Sequence, residues 1–229
     1  MIDAAKLVRA LQFGDSMFPV GAFSFSNGLE SAIEHRVVHD VSTLGQFVRT
    51  ATRQAAHGDG IALLAAHRAA IAGDEGRLLQ IDHALMNRKL NEETRTMTAR
   101  MGRKLVELAG RILETSLLGR WRTRITQGDT PGTYPVALAM VFAEQEIGER
   151  ETFAAHQYGV ASMMLAAALR LMKVSYVDGQ ILLHRVNEAV EDDYTRVAEA
   201  SLEDMSTFAP VTDILSACHV RSYVRLFMS

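Results

Sequence analysis

Apolar residues recur along this chain at spacings of three and four, the period of an α-helix with one face turned inward. Residues 4–14 put Leu7, Ala10, Leu11 and Gly14 on one face. Asn27 then stands as the N-cap of a helix through Leu29, Ala32, Ile33 and Arg36. Ser42 precedes Leu44, Phe47, Val48 and Ala51, a helix expected to stop at His57-Gly58. Asp59 is placed to cap Ile61 to Ile71, and Asp74 to cap a helix with Leu78, Ile81, Leu85 and Met86 inward.

From Arg88 to Leu118 a charged face (Arg88 with Glu92, Lys104 with Glu107) opposes a stripe of Met97, Met101, Leu105, Leu108 and Ile112. Gly102 and Gly110 interrupt it, and close approach of a neighbour would offset the roughly 0.5–1 kcal/mol that each costs a helix. Residues 127–135 are dense in turn formers, and Pro135 suits the first turn of a helix from Val136 to Ile147. Thr152 to Val174 is apolar on most sides, the mark of a central helix, with Met163 and Met164 as core filler. Asp178 is placed to cap a helix through Leu182, Leu183, Val186 and Val190; residues 188–193 read as a solvated acidic turn, and Tyr194 to about Met205 as one more helix. The pattern predicts an all-α, single-domain bundle of about ten helices with short loops, covering 1–229.

Two stretches depart from that pattern. Residues 15–30 set Phe18, Phe23 and Phe25 among turn-forming residues: Pro19 fixes φ, and Gly21 can take positive φ. This describes a tight aromatic loop rather than a linker, with packing its simplest use and partner contact the alternative. The tail from Ser206 holds Phe208, Pro210, Val211, Ile214, Leu215, Val220, Tyr223, Val224, Leu226 and Phe227. A chain end this apolar must dock on its own body or on another protein. Residues 207–229 are therefore expected to be a docking tail, on this chain or on a partner.

Composition narrows the classes. The net charge is -3, so general affinity for nucleic acid or anionic membrane is not expected. The longest apolar run, Val160 to Leu169, is far short of the ~20 residues that span a bilayer. One cysteine, Cys218, gives no disulfide framework, and a reducing cytoplasm is the expected location. Twenty arginines against four lysines favour bidentate pairing on helical surfaces and interfaces.

Catalytic patterns are absent. There is no phosphate-cradling glycine loop, no G-x-S-x-G elbow, no S-x-x-K and no H-E-x-x-H, and no pair of carboxylates converges on one site. His35 and His39 lie at the i, i+4 spacing of two ligands on one helix face, and Cys218-His219 offers two donors that a two-fold copy could complete. Neither makes a ligand set alone. The residues themselves favour an interaction protein over an enzyme, with no cofactor.

The loop Phe18-Pro19-Val20-Gly21-Ala22-Phe23-Ser24-Phe25-Ser26-Asn27-Gly28-Leu29-Glu30 resembles the PVGGFSYSxGLE signature of the urease accessory protein UreF family. Glu93-Thr94-Arg95, Met101 to Leu105, Tyr134 to Leu138, Arg170-Leu171 with Gly179-Gln180, and the ending Pro210 to Ile214, His219 and Arg225 to Ser229 are similar too, in family order. Ala22 replaces a usual glycine, Phe25 a common tyrosine, and Val220 an expected glutamate, departures that bear on fine contacts at loop and tail.

The resemblance implies an all-α homodimer that is not an enzyme. It would join a UreD-type (UreH-type) scaffold and the GTPase UreG on apo-urease, enabling nickel insertion. Partner contacts are then expected from the loop (Phe18, Pro19, Gly21, Phe23, Ser24, Ser26, Gly28, Glu30) and from Arg95 and Arg103. In the tail they are expected from Asp213, Ile214, His219, Arg221, Tyr223, Arg225, Leu226 and Phe227. An arginine acting on GTP would come from Arg95, Arg103, Arg221 or Arg225. The competing class is a dimeric, helical, ligand-sensing transcriptional regulator. It would need a basic recognition helix after a helix-turn-helix, where this chain has an aromatic loop.

Overall fold

A computed structural model describes residues 3–15, 17–206, 214–215 and 226–227. Asp3 caps α1 (Ala4–Gly14), its side chain accepting from the Lys6 amide at 2.8 Å. The helices that follow are α2 (Leu29–Glu34), α3 (Val41–Ala55), α4 (Ile61–Ile71), α5 (Glu75–Arg88) and α6 (Glu92–Leu113). Beyond them lie α7 (Ser116–Gln127), α8 (Tyr134–Glu144), α9 (Glu149–Leu171), α10 (Tyr176–Asn187) and α11 (Val190–Val197). The expected all-α fold is the one that forms.

Several boundaries differ from expectation, each for a local reason. Gly28, in the left-handed region, precedes α2; Asn27 caps nothing and turns its amide to the Met164 sulfur. Asp40, not Ser42, caps α3, because its carboxylate takes the Thr43 amide while the Thr43 hydroxyl answers the Asp40 amide. Ser175, not Asp178, caps α10 in the same reciprocal way. Arg88 to Leu118 is not one helix: Asn91 caps α6, Glu114 takes φ +51° and Thr115 caps α7. Arg88 and Glu92 thus stand on different helices, while Lys104 does meet Glu107 at 3.0 Å. The segment 188–193 is not a solvated turn. Glu191, Asp192 and Asp193 open α11, where the helix dipole favours them, and Asp193 is buried in a bidentate pair with Arg49. The helix expected over 194–205 ends at Val197 and is followed by a 3₁₀ turn, Leu202–Asp204.

The largest correction is between α3 and α4. His57-Gly58 does not stop the helix and Asp59 does not cap a new one. The backbone runs on through a π-helical turn, Ala56–Gly60. A side chain explains the widened turn. With its amide oriented as its neighbours require, Gln157 of α9 donates to the Thr52 carbonyl at 2.9 Å and accepts from the Ala56 amide at 3.2 Å. Gly60 lets Phe153 of α9 lie against the turn, since a Cβ there would come within 2.7 Å of the ring. The Asp59 carboxylate pairs with Lys89 instead.

Two apolar clusters form the core. One joins α4, α5, α6 and α8; the other joins α2, α3, α9 and α10. Every residue of α8 from Pro135 to Phe142 is buried, so α8 shares the central place expected for α9 alone. A buried carboxylate holds the first cluster's rim. Asp82 of α5 accepts from the Thr130 hydroxyl at 2.6 Å, the Gly132 amide at 2.7 Å, the Thr133 amide at 2.9 Å and the Thr133 hydroxyl. This fixes residues 130–133 against α6 at Gly102, where a Cβ would stand 2.2 Å from the Gly132 carbonyl oxygen. Gly110 has no such neighbour: its Cβ would meet only Leu118, at 3.9 Å.

The two glycines should therefore respond oppositely to alanine. Gly102→Ala is expected to destabilise by about 1–3 kcal/mol or more through backbone overlap. Gly110→Ala should stabilise by about 0.5–1 kcal/mol. Urea unfolding midpoints measure both.

A candidate docking surface where the opening loop meets the chain end

The opening loop is rigid by construction. Gly21 (φ +86°) and Gly28 (φ +79°) occupy backbone conformations that L side chains rarely adopt. Between them the 3₁₀ turn Ala22–Ser24 closes with the Ser24 amide on the Gly21 carbonyl and the Phe25 amide on the Ala22 carbonyl, both at 3.1 Å. Phe25 and Val20 are buried, and Phe18 leans on Phe13 with ring centroids 5.3 Å apart. Two large apolar side chains point the other way: Met17 is 84% exposed and Phe23 is 72% exposed.

The loop is joined to the chain end by one carboxylate. Glu30 Oε1 accepts from the Leu226 amide at 2.8 Å, and Oε2 from the Phe227 amide at 3.2 Å. Hydrogen bonds to an ionised acceptor are the stronger kind, each contributing about 1.5–3 kcal/mol net. Phe227 and Leu215 bury their side chains in the second core cluster. Arg170, in the last turn of α9, completes the joint: it donates to the Phe23 carbonyl at 3.1 Å and lies 4.3 Å over the Phe227 ring. One guanidinium thus touches loop and chain end together.

Beneath the loop a cavity of about 60 Å³ reaches down to Asp59, Thr98, Tyr134 and His156, with Met97, Met101 and Met163 on its walls. Its floor is uncharged at His156 and Tyr134. Burial lowers the His156 pKa to about 4, with Asp59 opposing and Lys89 reinforcing the shift, and burial pushes Tyr134 up to about 12. His156 Nδ1 has no hydrogen-bond partner.

The expected site residues fall into distinct groups. Phe23, Glu30, Leu226 and Phe227 are brought together, with Pro19 and Ile214 exposed and Phe18, Gly21 and Ser24 half-buried. Ser26 and Gly28 are buried, and the Ser26 hydroxyl accepts from the Glu30 amide at 3.4 Å at the start of α2. Arg95 and Arg103 each spend Nε on a main-chain carbonyl, of Lys89 at 2.7 Å and Pro131 at 3.0 Å. Asp213, Cys218, His219, Arg221, Tyr223 and Arg225 lie outside the described residues.

His35 and His39 do not share a helix face, because α2 ends at Glu34 and Arg36 takes φ +57°. Among the described residues no three His, Cys, Asp or Glu side chains gather as metal ligands, and no helix is long and apolar enough to cross a membrane. Arg170 is the residue absent from the expected contacts; its signals were its place in the Arg170-Leu171 stretch of the family resemblance and its position as a cation closing the most apolar stretch of the chain.

Fold and surface define an all-α protein whose most built exterior feature is a rigid aromatic loop bound to its own chain end. Comparison with known proteins makes this specific. Residues 38–187 match the family model UreF. The chain is 54% identical to urease accessory protein UreF 2 of Brucella canis over 97% of its own length and 92% of the relative's. It is 53% identical to UreF 1 of Brucella melitensis with the same coverage, and 49% identical to UreF of Yersinia pseudotuberculosis over 99% of both chains. The chain belongs to the UreF family.

If Glu30 is what holds the chain end, Glu30→Gln should loosen it without unfolding the body. Amide exchange at Leu226 and Phe227 is expected to accelerate about tenfold or more, the equivalent of the ~1.4 kcal/mol in one weakened charged acceptor. Exchange within α8 should stay unchanged.

Proposed function

We propose that this chain is a urease maturation protein of the cytoplasm that works by docking, without catalysis of its own. It bridges a UreD-type (UreH-type) scaffold and the GTPase UreG on apo-urease so that nickel can be inserted. Membership of the UreF family supports the urease role. The single observation that carries the docking reading is the loop-and-tail joint. Exposed Met17 and Phe23 stand on a backbone fixed by Gly21 and Gly28, beside a chain end tied through Glu30 and Arg170. Apolar side chains held rigidly in water are the usual anchors of protein contacts. The carboxylate-amide tie is one that a partner's own donors could replace, so the tail can serve the body or a partner. A homodimer fits the same reading, with the exposed face of α1 (Leu7, Val8 and Leu11) as apolar surface available for association.

Modulation of the GTPase belongs to this proposal. Arg95 and Arg103 are candidates because both are exposed and each has its guanidinium tethered through Nε to a main-chain carbonyl. The tail arginines Arg221 and Arg225 are the others.

Deleting residues 207–229 is expected to leave far-UV circular dichroism helical, to abolish co-purification of the UreD-type partner and to abolish urease activation in a reconstituted assay. Full-strength capture by the truncated chain would overturn the docking role of the tail. In the same assay, GTP hydrolysis unchanged by alanine at all four arginines would remove the GTPase proposal.

A further inference from the structure

A second surface, away from loop and tail, carries a charge pattern of its own. Arg103, Glu107 and Arg111 follow one another at four-residue intervals along α6, and Arg122 faces them across a groove from α7, with Ile125 on its wall. Three guanidiniums share the groove with one carboxylate. Glu107 is already divided, one oxygen 3.0 Å from Lys104 and the other 3.3 Å from Arg111. The Lys104 hydrogen bond, with Arg111 and Arg122 acting in the same sense, holds that carboxyl below its usual range. Arg122 has no hydrogen-bonded or ion-paired acceptor among the described residues.

Arg103 is positioned rather than loose. Its Nε donates to the Pro131 carbonyl, and a Cβ on Gly132 would lie 3.3 Å from its Cγ and 2.7 Å from Ile125. The loop fixed by Asp82 therefore presents this guanidinium at the groove's end.

We infer that the α6–α7 groove is a docking site for an acidic helix of a partner protein, with carboxylates two turns apart and a cationic or neutral residue between them. The spacing decides for a protein segment over a small anion. Arg103 and Arg111 are eight residues apart, about 12 Å along the axis. A single carboxylate or phosphate cannot bridge that distance, while a helix with acidic residues at i and i+8 matches it. Glu107, midway, repels a third carboxylate and so selects the central residue. This inference rests on the docking reading of the chain but uses a face away from loop and tail, and of its residues only Arg103 is shared with the GTPase proposal.

The test is fluorescence anisotropy of the full chain with a labelled helical peptide carrying Glu, Lys and Glu at i, i+4 and i+8. The control has every charge inverted. The acidic peptide should bind, weaken as salt is raised, and lose at least about tenfold in affinity to R111E/R122E, with R111Q/R122Q intermediate and circular dichroism unchanged. Equal binding of the inverted peptide, indifference to R111E/R122E, or displacement of the peptide by equimolar inorganic phosphate would each overturn it. Urease activation is not the readout, so a failure here leaves the maturation role standing, and the reverse holds too.

Discussion

The structure depends on α9 satisfying two cores at once. Its Phe153 and Met163 enter the cluster around α4, α6 and α8, while Ala161, Met164, Leu165 and Ala168 enter the cluster of α2, α3 and α10. A helix buried on both sides cannot shift along its axis without opening one cluster or the other. What it carries is fixed with it. Gln157 is held in the π-turn of α3–α4, His156 at the floor of the cavity, and Arg170 under loop and chain end. The docking surface is therefore referenced to the core through one rigid element, which suits a protein whose work is to present a shape.

Carboxylates give the same rigidity to loops. Asp82 gathers main-chain and hydroxyl donors of residues 130–133, and Glu30 gathers two amides of the chain end. A carboxylate surrounded by donors keeps its charge solvated by the protein, so it organises several backbone groups that would otherwise need water. The two cases differ in consequence. Asp82 is sealed, and its loop becomes part of the body; Glu30 is half-buried, and its tie sits at the surface, where competing donors can reach it.

The arginines divide along similar lines. Arg49 with Asp193, Arg68 with Glu149, Arg120 with Glu75 and Arg150 with Glu191 clamp helix to helix. Their carboxylate partners come from distant parts of the chain, so the exposed pairs define tertiary contacts more than they add stability, while buried Asp193 needs Arg49 to offset its desolvation. Between α6 and α7 three arginines, Arg103, Arg111 and Arg122, line one groove, where Glu107 is the one acid.

Helical periodicity determined the fold class, most element positions and the two exceptional stretches, because amphipathic spacing and turn chemistry act over a few residues. It placed the N-caps at Asn27, Ser42 and Asp178 less well: capping is a competition among nearby side chains, and Asp40 and Ser175 won it through reciprocal bonds. It took Gly58 and Asp59 for a helix end, since only the intrusion of Gln157, a hundred residues on, keeps the backbone helical there. The aromatic loop and apolar tail were legible as special from composition alone. That Phe25 and Ser26 turn inward, that Phe23 stays outside, and that Glu30 and Arg170 bind loop to chain end were decided by the tertiary structure. The ties of Glu30 to Leu226 and of Arg170 to Phe23 and Phe227 join residues far apart in the chain, and local patterns in a sequence do not record them.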